Sequence, residues 1–162
     1  MLSKNVTPFH TSIMLARDEA RQAGSRKIEA EHLLLALSRQ KGTDASAILK
    51  DAGLDHEAIL EAIESESEQS LKAVGVSLGD RGLVKASSAR DYNPRFGQSA
   101  KLAVARAADL EAKRIAPPLE PIHLLIGILH AKAGTVPRVL EVSGVDTDDL
   151  ISKAESAMPG RR

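Results

Sequence analysis

The chain has no cysteine and no tryptophan among its 162 residues. Without cysteine there are no disulfides, thiolate metal sites or cysteine nucleophiles, and the composition suits a reducing compartment. Aromatic residues are nearly missing too, with only Phe9, Tyr92 and Phe96 present. A chain so poor in aromatics, and dominated by Ala, Leu, Ile and Glu, favours helices packed through small residues over sheets. The fold class it predicts is all-α. Net charge is absent as well: Lys plus Arg and Asp plus Glu both total 22. That balance removes the long-range attraction behind nonspecific nucleic-acid binding, so no nucleic-acid partner is expected. The longest apolar stretch, Ile122 to Leu129, is broken by His123 and is too short to span a bilayer. The start, Met1-Leu2-Ser3-Lys4-Asn5, leads into no apolar signal core. The expectation is a cytoplasmic protein with no membrane partner. Neither Gly-x-Ser-x-Gly nor His-Glu-x-x-His occurs, which argues against an enzyme.

What the chain does contain is itself, twice. Residues 5–63 lie over residues 96–154 without a gap, and 10 of the 59 aligned positions are identical. Glu29, His32, Leu33, Leu34, Leu49, Gly53 and Asp55 recur as Glu120, His123, Leu124, Leu125, Leu140, Gly144 and Asp146. Other positions keep their chemical type, as in Ile13/Val104, Leu35/Ile126, Ile48/Val139 and Ile59/Leu150. Two copies of a unit this long argue for a pseudo-symmetric globular body over an open solenoid, which usually needs about three repeats. The length suits one domain. The organisation expected is a single domain over 1–162, with repeat one at 5–63, a connector at 64–95 and repeat two at 96–154.

Local signals give four helices per copy. Thr7 and Pro8 form an N-cap and first-turn pair for a helix up to Gly24. Ser25 to Ala30 reads as a polar turn with Ile28 tucked in. Glu31 to Ser38 is too rich in Leu for a surface helix and should be the buried one. Asp44 is positioned to cap a short third helix that stops at Gly53, and Asp55 to cap a fourth through Ile63. Repeat two gives Gly97–Arg114, Pro121 to about His130, Thr135 (as N-cap) to about Ser143, and Asp146 to about Ala157. In the connector, Gly75, Gly79 and Gly82 argue against a continuous helix, while Leu71, Val74, Val76 and Leu78 offer apolar anchors.

The ordered set Glu31-His32-Leu33-Leu34-Leu35-Ala36-Leu37, then Ile48-Leu49, then Gly53-Leu54-Asp55, occurring twice, resembles the Clp N-terminal repeat domain of ClpA-, ClpB- and ClpC-type unfoldases. The resemblance covers the chain apart from the connector. It implies two pseudo-two-fold-related four-helix repeats, eight helices in all, and a noncatalytic binding module of the Clp protease system. Clp unfoldases continue into ATPase modules that need Gly-x-x-x-x-Gly-Lys-Ser/Thr, and no such loop occurs here. The chain is therefore an isolated domain or a stand-alone relative. The long connector, and Asn5 where the family's first repeat usually has Phe, favour the stand-alone form.

The resemblance also suggests sites. In some ClpC-type domains the Glu before His-Leu-Leu binds the guanidinium of phosphoarginine. Glu31 matches in repeat one, but repeat two has Ile122, which cannot accept a hydrogen bond. At most half of that recognition should survive. Alternatively, Glu31 simply favours the positive start of its helix. A ligand-binding groove near the start of repeat two, where such domains of actinobacteria bind cyclic peptides such as cyclomarin, is matched by Phe96 and Lys101. Leu2 stands near the place of a second Phe, and Ala105 replaces an acidic residue; Phe96 either anchors a partner there or plugs the interface between repeats. The implied partners are a ClpC-type unfoldase or Clp protease subunits, substrate proteins, adaptors or cyclic peptides, with the chain acting as decoy or accessory. A monomer is favoured.

His32 and His123 could converge across an internal axis, and His130 shares a face with His123. However, spacing supplies no further metal ligands, so helix-start packing is the preferred reading; no metal or other cofactor is expected. The acidic series Glu57, Glu61, Glu64 and Glu68, at three- and four-residue spacing, reads as a solvated stripe on the fourth helix rather than a cation site. Two alternatives stand beside the binding module: a small enzyme or metal protein using His32, His123 and His130, and a purely structural dimerising helical protein.

Overall fold

A computed structural model describes residues 6–75, 92–112 and 118–159. Among them are eight helices and one two-residue strand pair. Helix α1 (Pro8–Gln22) begins where Thr7 Oγ1 accepts the His10 N–H at 3.1 Å, with Pro8 in the first turn. Strand β1 (Lys27–Ile28) leads into α2 (Ala30–Arg39), then α3 (Asp44–Asp51) and α4 (His56–Ala73). After the connector come β2 (Arg95–Phe96), α5 (Gln98–Ala112), α6 (Pro121–Leu129), α7 (Thr135–Val142) and α8 (Thr147–Ser156). The all-α reading and the two sets of four helices both hold.

The core lies where α2 and α6 meet. All nine residues of α6 are buried, and Ala30 and His32 through Leu37 are buried on α2. This is the burial that the Leu-rich segments predicted. Leu33, Leu34, Leu37, Leu124, Leu125 and Ile128 are each fully buried, at about 1.5–3 kcal/mol of hydrophobic stabilisation apiece. The other helices wrap this pair: α1 and α5 pack on α2 and α6, and across the repeats α4 packs on α7 while α3 packs on α8. Gly127 lets α6 approach α5, since a Cβ there would sit 2.3 Å from the Ala103 carbonyl oxygen.

The structure corrects several local expectations. The N-cap of α3 is Thr43, whose hydroxyl accepts the Ser46 N–H at 3.1 Å; Asp44 is the first helical residue. Likewise Gly134, at φ 108, precedes α7 and Thr135 opens it. The Ser25–Ala30 turn carries Ile28 inward as expected, but also pairs in parallel with β2, Lys27 opposite Arg95 and Ile28 opposite Phe96. Helix α4 does not stop near Ile63. It runs to Ala73 and ends ahead of Gly75 at φ 78, because the polar run after Ile63 is made of helix formers that Ala62 and Glu66 tie to the body. Leu71 is half-buried and Val74 exposed, while Val76, Leu78, Gly79 and Gly82 lie outside the described residues, as do Lys113 and Arg114.

Candidate functional site

The starts of α2 and α5 meet. Ser99 Oγ donates to Glu29 Oε2 and accepts the Ala30 N–H at 2.8 Å, while the Ser99 N–H donates to the same carboxylate at 3.3 Å. Gly97 makes room for that carboxylate, since a Cβ there would fall 1.9 Å from Glu29 Oε1. The Gly97 N–H reaches the Ile28 carbonyl at 2.8 Å. Just upstream, the Tyr92 hydroxyl donates to the Ser25 carbonyl at 2.8 Å, and Arg21 Nε donates to the Tyr92 carbonyl at 3.2 Å. The beginning of repeat two is thus stitched to the α1–α2 turn of repeat one.

Four of the residues singled out in sequence flank this seam. Phe96, on β2, is half-buried against the core. Lys101 is exposed in the first turn of α5, and Ala105 is exposed one turn later. Glu31 is the second residue of α2, part-exposed, one position beyond Ala30, whose N–H Ser99 receives. Leu2 lies outside the described residues.

Burial pushes the Glu31 carboxyl above its ordinary value, against the lowering effect of a bond from its own backbone N–H. The charges of Glu29 and Glu66 add to the rise, and Arg138 opposes it. The equivalent Ile122 is 2 % exposed and belongs to the core, so the two copies differ here in burial as well as chemistry.

His32 and His123 act as helix-start acceptors. His32 Nδ1 receives the Glu29 N–H at 2.9 Å and His123 Nδ1 receives the Glu120 N–H at 3.0 Å, each satisfying an N-cap amide that Glu or Gln satisfies in an ordinary capping box. Burial holds His32 below its usual range, although Glu29 and Glu19 pull the other way. His130 lies on the far end of α6, 3.8 Å from Glu155. Among the described residues no group of three or more His, Asp or Glu could hold a metal ion. Glu57, Glu61 and Glu64 are exposed and Glu68 is half-buried along α4.

Sequence reasoning missed the buried acids. Glu66 on α4, 6 % exposed, takes Arg138 Nε of α7 at 2.7 Å and the Ser70 hydroxyl at 2.6 Å. Burial would raise its carboxyl, but Ser70 and Arg138 outweigh burial and hold it below the usual range. Glu19 on α1, 3 % exposed, lies 3.0 Å from Arg39 Nη1 and 2.8 Å from His56 Nε2. One signal could have revealed Glu19: the other copy has Leu110 at its position.

Paired four-helix repeats sharing a core and joined by a polar seam define a double-repeat all-α domain. The chain belongs to the Clp repeat (R) N-terminal domain family, whose model matches residues 6–89 and 95–160. It is 28% identical over 138 residues to the chloroplastic chaperone protein ClpC1 of Oryza sativa subsp. japonica, covering 85% of this chain and 13% of that protein. A similar match, 28% identical over 138 residues and 14% of the relative's length, is the chloroplastic ATP-dependent Clp protease ATP-binding subunit ClpA homolog of Brassica napus. The chain thus spans about an eighth of these relatives. Among solved structures, the N-terminal domain of the chaperone ClpD from Arabidopsis thaliana superposes with TM-score 0.68 at 19% identity, over 93% of this chain and 91% of that one. The Hsp104 N-terminal domain from Candida albicans follows at 0.63 and 16%, over 94% and 89%. Among the described residues no helix is long and apolar enough to cross a membrane.

Proposed function

We propose that the chain is a noncatalytic binding module of a cytoplasmic Clp system, capturing substrate proteins, adaptors or cyclic peptides at the seam between its repeats. The observation that carries this reading is Phe96. It is one of two phenylalanines in the chain and is half-buried where repeat two crosses repeat one, with the exposed Lys101 on the helix that follows. An aromatic held rigidly by the fold with part of its surface free is suited to anchor a ligand, and a neighbouring cation adds selectivity for polar groups. Glu31, on the other side of the seam, supplies a carboxylate for a guanidinium such as that of phosphoarginine. Family membership supports the Clp setting. The ATPase would come from a ClpC-type unfoldase in the same or another chain, this domain serving it as substrate receptor, accessory or decoy.

The module is proposed as a monomer. A His-based enzyme is disfavoured because His32 and His123 each spend Nδ1 on a backbone amide. Titration with a cyclic peptide such as cyclomarin tests the anchor. Phe96→Ala, shown to remain folded, is expected to weaken binding by about 2 kcal/mol or more. Unchanged affinity rejects the role. For the accessory version, retention of neither a ClpC-type unfoldase nor a Clp peptidase subunit in a pull-down rejects it.

A further inference from the structure

Repeat one carries a cleft of about 1050 Å³ that the seam does not use. Its walls come from the ends of α1 and α2, from α3 and from the start of α4, and include Arg39, Lys41, Thr43, Lys50, Asp55 and His56. None of Glu31, Phe96 and Lys101 lines it. Against this wall is the Glu19 carboxylate, its side chain 2% exposed, which fixes Arg39 from the end of α2 and His56 from the start of α4.

Repeat two is an internal control for what the fold requires. Glu19, Arg39, His56 and Lys50 correspond there to Leu110, His130, Thr147 and Glu141, and Leu110 packs on the core. Glu19 is buried while the side chains of Arg39 and His56 are 41% and 32% exposed, and apolar residues of similar size often serve a fold as well as such a pairing. Repeat one therefore keeps a charged arrangement that its twin folds without.

Two of the three carboxylates at the cleft have partners, and the third, Asp44, is exposed at a helix start. Glu19 serves Arg39 and His56, Asp55 accepts the Ala58 N–H at 2.8 Å, and Asp44 sits in the first turn of α3, where the helix dipole offsets it. Lys41 and Lys50 have no ion-pair partner among the described residues. The side chain of Arg39 is 41% exposed, so its outer edge remains open to solvent.

We propose that this cleft binds an acidic peptide segment. Lys41, Lys50 and the outer edge of Arg39 receive its carboxylates, and Glu19 is the positioning residue that holds Arg39 and His56 in place. The test titrates a hexaglutamate peptide into the full chain and follows backbone amides by NMR. Shifts are expected to concentrate at Thr43, Ser46, Ala47 and His56. The double variant Lys41→Glu/Lys50→Glu is expected to weaken binding by about tenfold or more, whereas Lys132→Glu, the exposed equivalent of Lys41 in repeat two, leaves it within about twofold. Glu19→Leu copies repeat two and so should stay folded. If Glu19 positions Arg39 and His56 the variant binds more weakly, whereas attraction by net charge alone makes it bind more tightly. The proposal is overturned by absence of saturable binding, by shifts confined elsewhere, by equal weakening in Lys132→Glu, or by an oligonucleotide binding the same amides more tightly than the peptide. Tighter or unchanged binding in Glu19→Leu overturns the positioning role.

Discussion

At Gly127 the lack of a side chain sets how closely two helices approach. Helix propensity alone favours Ala there by about 1 kcal/mol. The Ala103 carbonyl, 2.3 Å from the Cβ position, is backbone and cannot swing aside. Gly127→Ala is therefore expected to destabilise the domain by about 1–3 kcal/mol, read as a lower denaturant midpoint, and a raised midpoint would refute the close-approach argument. His32 and Glu31 give opposite pH signatures. Because burial lowers the His32 pKa beneath 6.5, the unfolded chain takes up the proton first, and stability is lost as pH falls from 6.5 through the folded value. The His32 ring should titrate below 6.5 by NMR. Glu31 is raised above 4.5, so its ionised form costs stability at neutral pH. Glu31→Gln should melt higher than the parent at pH 7, and the gain should shrink as pH falls through the raised value toward 4.5. The histidine role was legible in sequence because both copies carry His three residues after Glu. Gly127 was not, since a lone Gly in an apolar run carries no record of the backbone facing it.

Helix α4 is the element the sequence described least well. Its acidic series at three- and four-residue spacing was visible, but the repeat alignment ends at residue 63, and Gly75, Gly79 and Gly82 made the segment beyond look like connector. The structure carries α4 to Ala73, with Glu66 buried against Arg138 of α7. An acid in a polar run gives no sign that it faces inward until the partner helix is known. Glu66 is buried while the Arg138 side chain is 54% exposed, so the pair lies between a surface and a buried ion pair. Double-mutant cycles on Glu66→Ala and Arg138→Ala should give a coupling of about 1–2 kcal/mol. Arg138→Ala alone should be at least as unstable as the double variant, because it strands the buried carboxylate. Additive effects would mean that the pair does not hold α4 on α7. By contrast, α2 was readable as a buried helix because its Leu density exceeds what one amphipathic face requires, and α6 through its correspondence to α2.

For the whole molecule, the duplication explains the scaffold and the departures from it suggest the function. Paired positions that pack or cap, such as Leu33/Leu124, Gly53/Gly144 and Asp55/Asp146, could be read from sequence since both copies need them for the same reason. Site chemistry is written in the sequence only as difference: Glu31 against Ile122, which was read, Glu19 against Leu110, which was not, and a seam at Phe96 that depends on Gly97 and Ser99, where repeat one has Val6 and Pro8. The central claim is that a symmetric fold presents unequal sites. Calorimetry with phosphoarginine tests it most directly. The expected result is one binding event per chain, lost in Glu31→Gln and unaffected by Ile122→Val; two equal sites, or a single site that persists in Glu31→Gln, would contradict it.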